Sequence, residues 1–332
     1  MRRGNRYCRI VLEPWFLTLY MLLILSAAIL FSFDNVSSDS NAYIPALAGF
    51  VDIEQIPYPL LLITGSALFL LTIVSIYYVS EEMFASSKRS KSIALMYAIF
   101  ALVNPSVVLF SGASVASIAM IWSIYFIIKG KNSSSSAIFV SPFLASVASL
   151  FYPYIAFIVL LSIFFVLNLK ELNIRMIIVS FIGILFPYIF VIALRYIFFE
   201  DVSVFAELLM NEFLNISRPE IRVTSVPEIL QILLLTTVVL NSVRSVMRTI
   251  RFYRVEESSM LSRMIVLFVF LVLANIVYPD TYGSYMTFIA IPMAFIVCEY
   301  VNPIGGNIGR VRGADLLILY MVIFMTRINM LI

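Results

Sequence analysis

The chain has 332 residues, 62% of them hydrophobic and only 12% charged, with a mean hydropathy of +1.03. A soluble domain is about half apolar and about one-quarter charged, so this composition excludes an ordinary water-soluble fold and calls for a bilayer. Histidine is absent, which removes the commonest general base and a frequent metal ligand; zinc sites and Ser-His-Asp chemistry are excluded, and no cofactor or metal centre is expected.

In chain order, Arg2, Arg3, Arg6 and Arg9 precede an apolar run from Phe16 to Phe33. The run is longer than a signal peptide's apolar region of roughly 7–15 residues, and no clear cleavage site follows. It reads as an uncleaved first span. A spanning helix needs about 20 apolar residues, and uncharged runs recur at 59–80, 176–194, 229–243, 264–278, 281–298 and 316–326. Two further runs, Ile93 to Ile128 and Ala137 to Asn168, would each extend roughly 50 Å as one helix, against a hydrocarbon core of about 30 Å. The first is interrupted at Asn104-Pro105 and again at Ser111-Gly112, the second at Tyr152-Pro153. Proline removes a backbone donor and restricts its predecessor, so both runs are split into hairpins, with a kinked or re-entrant alternative open for the second. The expected fold is all-α: one integral membrane domain over residues 1–332, a transmembrane bundle of about 11 spans (range 9–11).

Cytoplasmic loops of membrane proteins are enriched in Lys and Arg. With the N-terminus inside, only Arg195, Arg218, Arg222 and Arg327 fall on the outer side. Cys8 and Cys298 both fall inside, where thiols stay reduced, so no disulfide is expected. The first outer loop, 34–58, and the fourth, 195–228, are the long ones. Phe205, Leu208, Leu209 and Phe213 repeat at helical spacing, which reads as a short interfacial helix. A shorter one is expected near Asp39, using Tyr43, Ile44 and Leu47. On the inner side, Arg244, Arg248, Arg251 and Arg254 are expected to form a basic row on one helical face beside a span, a pattern that binds anionic lipid headgroups. Gly305 to Gly309 lacks the strand and the Lys-Ser/Thr of a phosphate loop. No nucleic-acid partner is expected.

None of the uncharged span interiors carries Asp, Glu, Lys or Arg, which argues against a proton-coupled transporter. Asn104, Gln231, Asn241 and Asn275 read as interhelical hydrogen-bonding groups. Chemistry is therefore expected at the outer interface. Asp34 and Asp39 stand just beyond the first span, where a carboxylate can serve as general base toward a hydroxyl; as capping residues they have a simpler role. Tyr43, Arg195, Arg218 and Arg222 are the candidate substrate and phosphate contacts, because guanidinium forks match phosphate geometry. The simpler reading pairs Arg218 and Arg222 with Glu220 and Glu212. Ser225-Val226-Pro227-Glu228 fits a capping box opening a span.

The stretch Ala145-Ser146-Val147-Ala148-Ser149-Leu150-Phe151-Tyr152-Pro153 resembles a segment of an uncharacterised family of polytopic inner-membrane proteins of gram-negative bacteria. So does the run from Asn241 through Arg251, followed by two short spans and Ile291-Pro292. The resemblance implies a multi-pass protein of the bacterial inner membrane and carries no assigned activity. More distantly, the chain is similar to polyprenyl-phosphate-sugar-dependent membrane glycosyltransferases of the GT-C type. That similarity implies an acidic catalytic residue in the first outer loop, matched by Asp34 or Asp39, and a lipid-phosphate contact in a later loop, matched by Arg218 and Arg222. A paired-acid motif and a soluble outer domain are absent from the sequence. A non-catalytic scaffold or assembly subunit of an envelope complex, and a lipid or small-molecule carrier, are the alternative expectations.

Overall fold

The computed structural model describes residues 14–34, 56–84, 87–130, 135–167, 174–199, 207, 210, 226–277, 282–301 and 318–323. Among them there is no strand. The helices are α1 (Pro14–Asp34), α2 (Tyr58–Phe84), α3 (Ser87–Ala101), α4 (Gly112–Gly130), α5 (Ser135–Phe151), α6 (Phe157–Leu167), α7 (Ile174–Phe199), α8 (Val226–Thr249), α9 (Val255–Val277) and α10 (Tyr282–Val301). Five of them, α2, α4, α7, α8 and α9, are long and apolar enough to cross a membrane.

Both long apolar runs break where proline and glycine fall. Helix α3 stops at Ala101, a 3-10 turn follows over Pro105–Val108, and α4 starts at Gly112. Helix α5 stops at Phe151, a 3-10 turn follows over Pro153–Ile155, and α6 starts at Phe157. With 11 residues, α6 is only about 16 Å long, short of a full crossing. Pro142, Pro187 and Pro292 instead lie inside α5, α7 and α10, positions that membrane helices tolerate better than soluble ones.

Side-chain contacts fix the directions of the helices. Phe110 N–H donates to Leu61 O at 3.0 Å, and the Thr72 and Ser117 hydroxyls are 3.4 Å apart. Tyr78 faces Trp122, and Lys129 pairs with Glu82. Helices α2 and α4 therefore run parallel, and α3 returns between their levels. The connector between α3 and α4 lies at the Leu61 end, here called the distal end. The opposite end, with Glu82 and Lys129, is the charged end. Ser123 Oγ donates to Ser141 O at 2.8 Å, which sets α5 antiparallel to α4. Phe186 packs on Phe139 and Phe143, and the Ser149 and Tyr188 hydroxyls are 2.6 Å apart, so α7 runs parallel to α5. The chain reverses at Pro153: Phe157 stacks on Phe270 and Arg263 lies over Phe165, so α6 runs antiparallel to α9. The second long run is a hairpin, not a bent single helix.

Two helices form the centre. From Tyr285 to Tyr300 every residue of α10 is buried, and from Ile93 to Leu102 every residue of α3 and its C-terminal extension except Leu95. A helix apolar on all faces belongs inside a bundle. Helices α1, α2, α8 and α9 pack around this pair. Helix α7 lies at the periphery and exposes Ile182, Leu185, Phe186, Ile189 and Phe190, the pattern of a surface that meets lipid. Close approach needs small residues. A Cβ on Gly65 would collide with the backbone at Leu109 and Phe110, and one on Gly183 would come 2.6 Å from Phe139 O.

The helices outrun the uncharged sequence runs. Helix α2 carries Glu81 and Glu82, α9 carries Glu256, Glu257 and Arg263, and α10 carries Glu299. The expectation of ion-free spans thus holds for the helix middles and not for their ends. Of the interfacial helix expected around Phe205 to Phe213, Glu207 and Met210 are described; both are helical and exposed.

Candidate functional site

Of the residues singled out in the sequence, Asp34 is the last residue of α1. Asp39, Tyr43, Arg218 and Arg222 lie outside the described residues, as does Ser225, although α8 does begin at the adjoining Val226. Arg195 is on α7, only 4% exposed. Because α7 runs parallel to α5, Arg195 lies toward the distal end. It is buried on a helix that is mainly exposed and apolar, which makes it the exceptional side chain of that helix.

The basic row is exposed throughout: Arg244 and Arg248 on α8, Arg251 in the 3-10 turn, and Arg254 just before α9. The α-helix stops at Thr249, so the row wraps a turn instead of following one helical face. Phe252 and Val255, 81% and 69% exposed, project from the same turn. Arginines beside protruding apolar side chains form a surface suited to a membrane interface.

The charged end also holds a cluster that the sequence reading did not single out. Arg89 on the first turn of α3, Glu257 on the first turn of α9 and Glu299 at the end of α10 are all buried. Arg89 pairs with Glu299, and its Nη1 is 4.0 Å from Glu257 Oε2. The guanidinium lies over the Phe84 ring at 4.3 Å and the Tyr253 ring at 5.5 Å. A guanidinium stays charged even in such a setting. Each residue alone reads as a flank of its own span. The signal was faint: a carboxylate or guanidinium within about two turns of an uncharged run, at three ends that the inferred sidedness puts together.

A second ion pair is more open. Lys129 and Tyr125 of α4 both donate to Glu82 of α2, with Trp122 packed edge-on against Tyr125. Toward the distal half, Phe100, Val103, Leu235, Met286, Ala290 and Met293 meet between α3, α8 and α10 in an apolar contact that leaves no room for a water molecule.

No family model, no curated protein and no solved structure matches the chain.

Proposed function

We propose that the chain is a multi-pass protein of a gram-negative inner membrane, with about 11 spans, the charged end in the cytoplasm and the distal end in the periplasm. At the distal face it acts as a GT-C-like glycosyltransferase on a sugar carried by a polyprenyl phosphate. Arg195, with Arg218 and Arg222, holds the lipid phosphate, and Tyr43 contacts the donor. Asp39 or Asp34 accepts the proton of an acceptor hydroxyl. The hydroxyl oxygen bonds to the sugar's anomeric carbon as the bond to the phosphate oxygen breaks, and the polyprenyl phosphate leaves. The exposed row Arg244, Arg248, Arg251 and Arg254 rests on anionic headgroups of the opposite leaflet.

One observation carries this reading. Arg195 is buried near the distal end of a lipid-facing helix, and membrane-embedded cations mark substrate paths more often than accidental packing. The Glu82–Lys129 pair and the ion pairs of Arg89 all lie at the other end, in keeping with the sidedness inferred from the loops. The test is single replacement, Asp34→Asn, Asp39→Asn, Arg195→Gln, Arg218→Gln and Arg222→Gln, scored for envelope glycan at matched protein level. Loss in an aspartate variant and an arginine variant is expected; wild-type glycan in all five ends the proposal.

A non-catalytic scaffold is the second reading. The densely buried centre of α3 and α10 and the broad apolar flank of α7 favour it. Co-purification of a fixed envelope partner that is lost when α7 is made polar at Ile182 and Ile189, with glycan unchanged in the site variants, is the outcome it requires.

A further inference from the structure

Arg263 stands at the boundary between the polar first turns of α9 and its uncharged stretch 264–277. It is eight residues past Val255, about 12 Å along the helix axis. The side chain is half-buried in the seam between α6 and α9, its guanidinium 5.6 Å from the centre of the Phe165 ring. Nη1 is enclosed and has no hydrogen-bond partner. Among the described residues no carboxylate pairs with Arg263. The contrast with Arg89 is direct: that guanidinium has Glu257 and Glu299, and this one has neither.

A cation set into an apolar seam without a counter-ion is costly, and such groups in membrane helices take a partner. The level suits a lipid. Arg263 is the last charge before the hydrocarbon-like part of its helix, where phospholipid phosphates lie beside a span. Beside the seam, Phe164 and Leu167 of α6 and Phe270 of α9 are exposed and apolar, a surface for an acyl chain. The Phe165 ring holds the guanidinium by its face, which leaves the N–H edge for phosphate oxygens.

We propose that Arg263 is the headgroup clamp of an anionic phospholipid whose acyl chain lies along the α6–α9 seam. This site differs from the exposed row Arg244 to Arg254, which meets many headgroups loosely. It depends on neither the glycosyltransferase reading nor the choice of leaflet.

The full-length protein in nanodiscs of phosphatidylglycerol and phosphatidylcholine tests this by native mass spectrometry. The wild type is expected to retain phosphatidylglycerol over phosphatidylcholine. Arg263→Gln should lower that retention about tenfold, the effect of one charge-assisted contact, and Arg263→Lys should lower it less. Equal retention in wild type and Arg263→Gln overturns the proposal. So does stabilisation of the detergent-solubilised protein by inorganic phosphate to the same extent as by phosphatidylglycerol, which would identify a free-anion site. A second measurement needs no variant: a photoreactive phosphatidylglycerol should label residues 157–167 or 260–277 of the wild type. Labelling confined to other helices would refute the assignment.

Discussion

The Arg89 guanidinium meets the Glu299 carboxylate at the charged end of the two innermost helices, beneath the rings of Phe84 and Tyr253. The pair fixes α3 against α10 in register, and Glu257 ties the start of α9 to the same point. Removing one member leaves a buried charge without its partner. Arg89→Gln or Glu299→Gln should destabilise the fold by about 3–5 kcal/mol. Replacing Arg89, Glu257 and Glu299 together with apolar side chains of similar size should recover most of that loss. Thermal unfolding of the purified protein in one detergent reads both effects; single variants as stable as wild type would deny the cluster a structural role.

The Glu82–Lys129 pair makes the opposite case. Both side chains are partly exposed, 34% and 47%. Lys129→Gln should therefore cost no more than about 1 kcal/mol, because solvent already screens the pair. The small difference from wild type should vanish in roughly 1 M salt. A loss as large as that for Arg89→Gln would show that the pair is screened far less than its exposure implies.

Gly65→Ala should be severely destabilising. The added methyl has no flexible side chain to displace, only the backbone from Val108 to Phe110, and that backbone is held to Leu61 by a hydrogen bond. Gly183→Ala meets the Phe139 carbonyl in the same way. Ile189→Ala, on the exposed face of α7, is the matched comparison and should be close to neutral. Monodispersity and yield of a fluorescent fusion after solubilisation separate the two classes.

Ser123→Ala removes the hydroxyl that joins α4 to the Ser141 carbonyl. Interhelical hydrogen bonds in membranes average about 0.6 kcal/mol, so a small loss is expected, well below that at Gly65. A drop of several kcal/mol in chemical unfolding would mean that the serine seam between α4 and α5 acts as one network.

Sidedness can be measured directly. A single cysteine at Ser111 marks the distal end and one at Ser87 the charged end. In a variant without Cys8 and Cys298, an impermeant thiol reagent added to intact cells should label position 111 and leave position 87 unlabelled until the membrane is opened. The reverse pattern would invert the proposed topology.

Much of the backbone plan was readable from residue order. The proline and glycine breaks at 104–112 and 152–153 act locally, so their effect on helix continuity could be stated from the chain alone. Helix ends were read less well. Uncharged runs mark the hydrocarbon-like middle of a helix, whereas hydrogen bonding carries α2 through Glu82 and α10 through Glu299. The Arg89 cluster was not readable because its members come from three distant segments, and each has an ordinary local role as a flanking charge. Arg195 was singled out for its position, but its burial depends on packing that the sequence does not encode locally. Asp39, Tyr43, Arg218 and Arg222 lie outside the described residues, so their part of the site rests on the sequence.

The central position of α3 has a consequence for biogenesis. Its first six residues, Ser87 to Ser92, include two lysines and an arginine, which leaves only Ile93 to Ala101 of the helix uncharged, too short to span lipid by itself. Its innermost partner, α10, is synthesised long after it. Until α10 arrives, the nascent chain must shelter α3 against α1 and α2, or leave it waiting at the translocon. Ribosome-stalled chains ending before residue 282 should therefore hold this segment in a protease-accessible state, and the centre should close only once α10 has emerged.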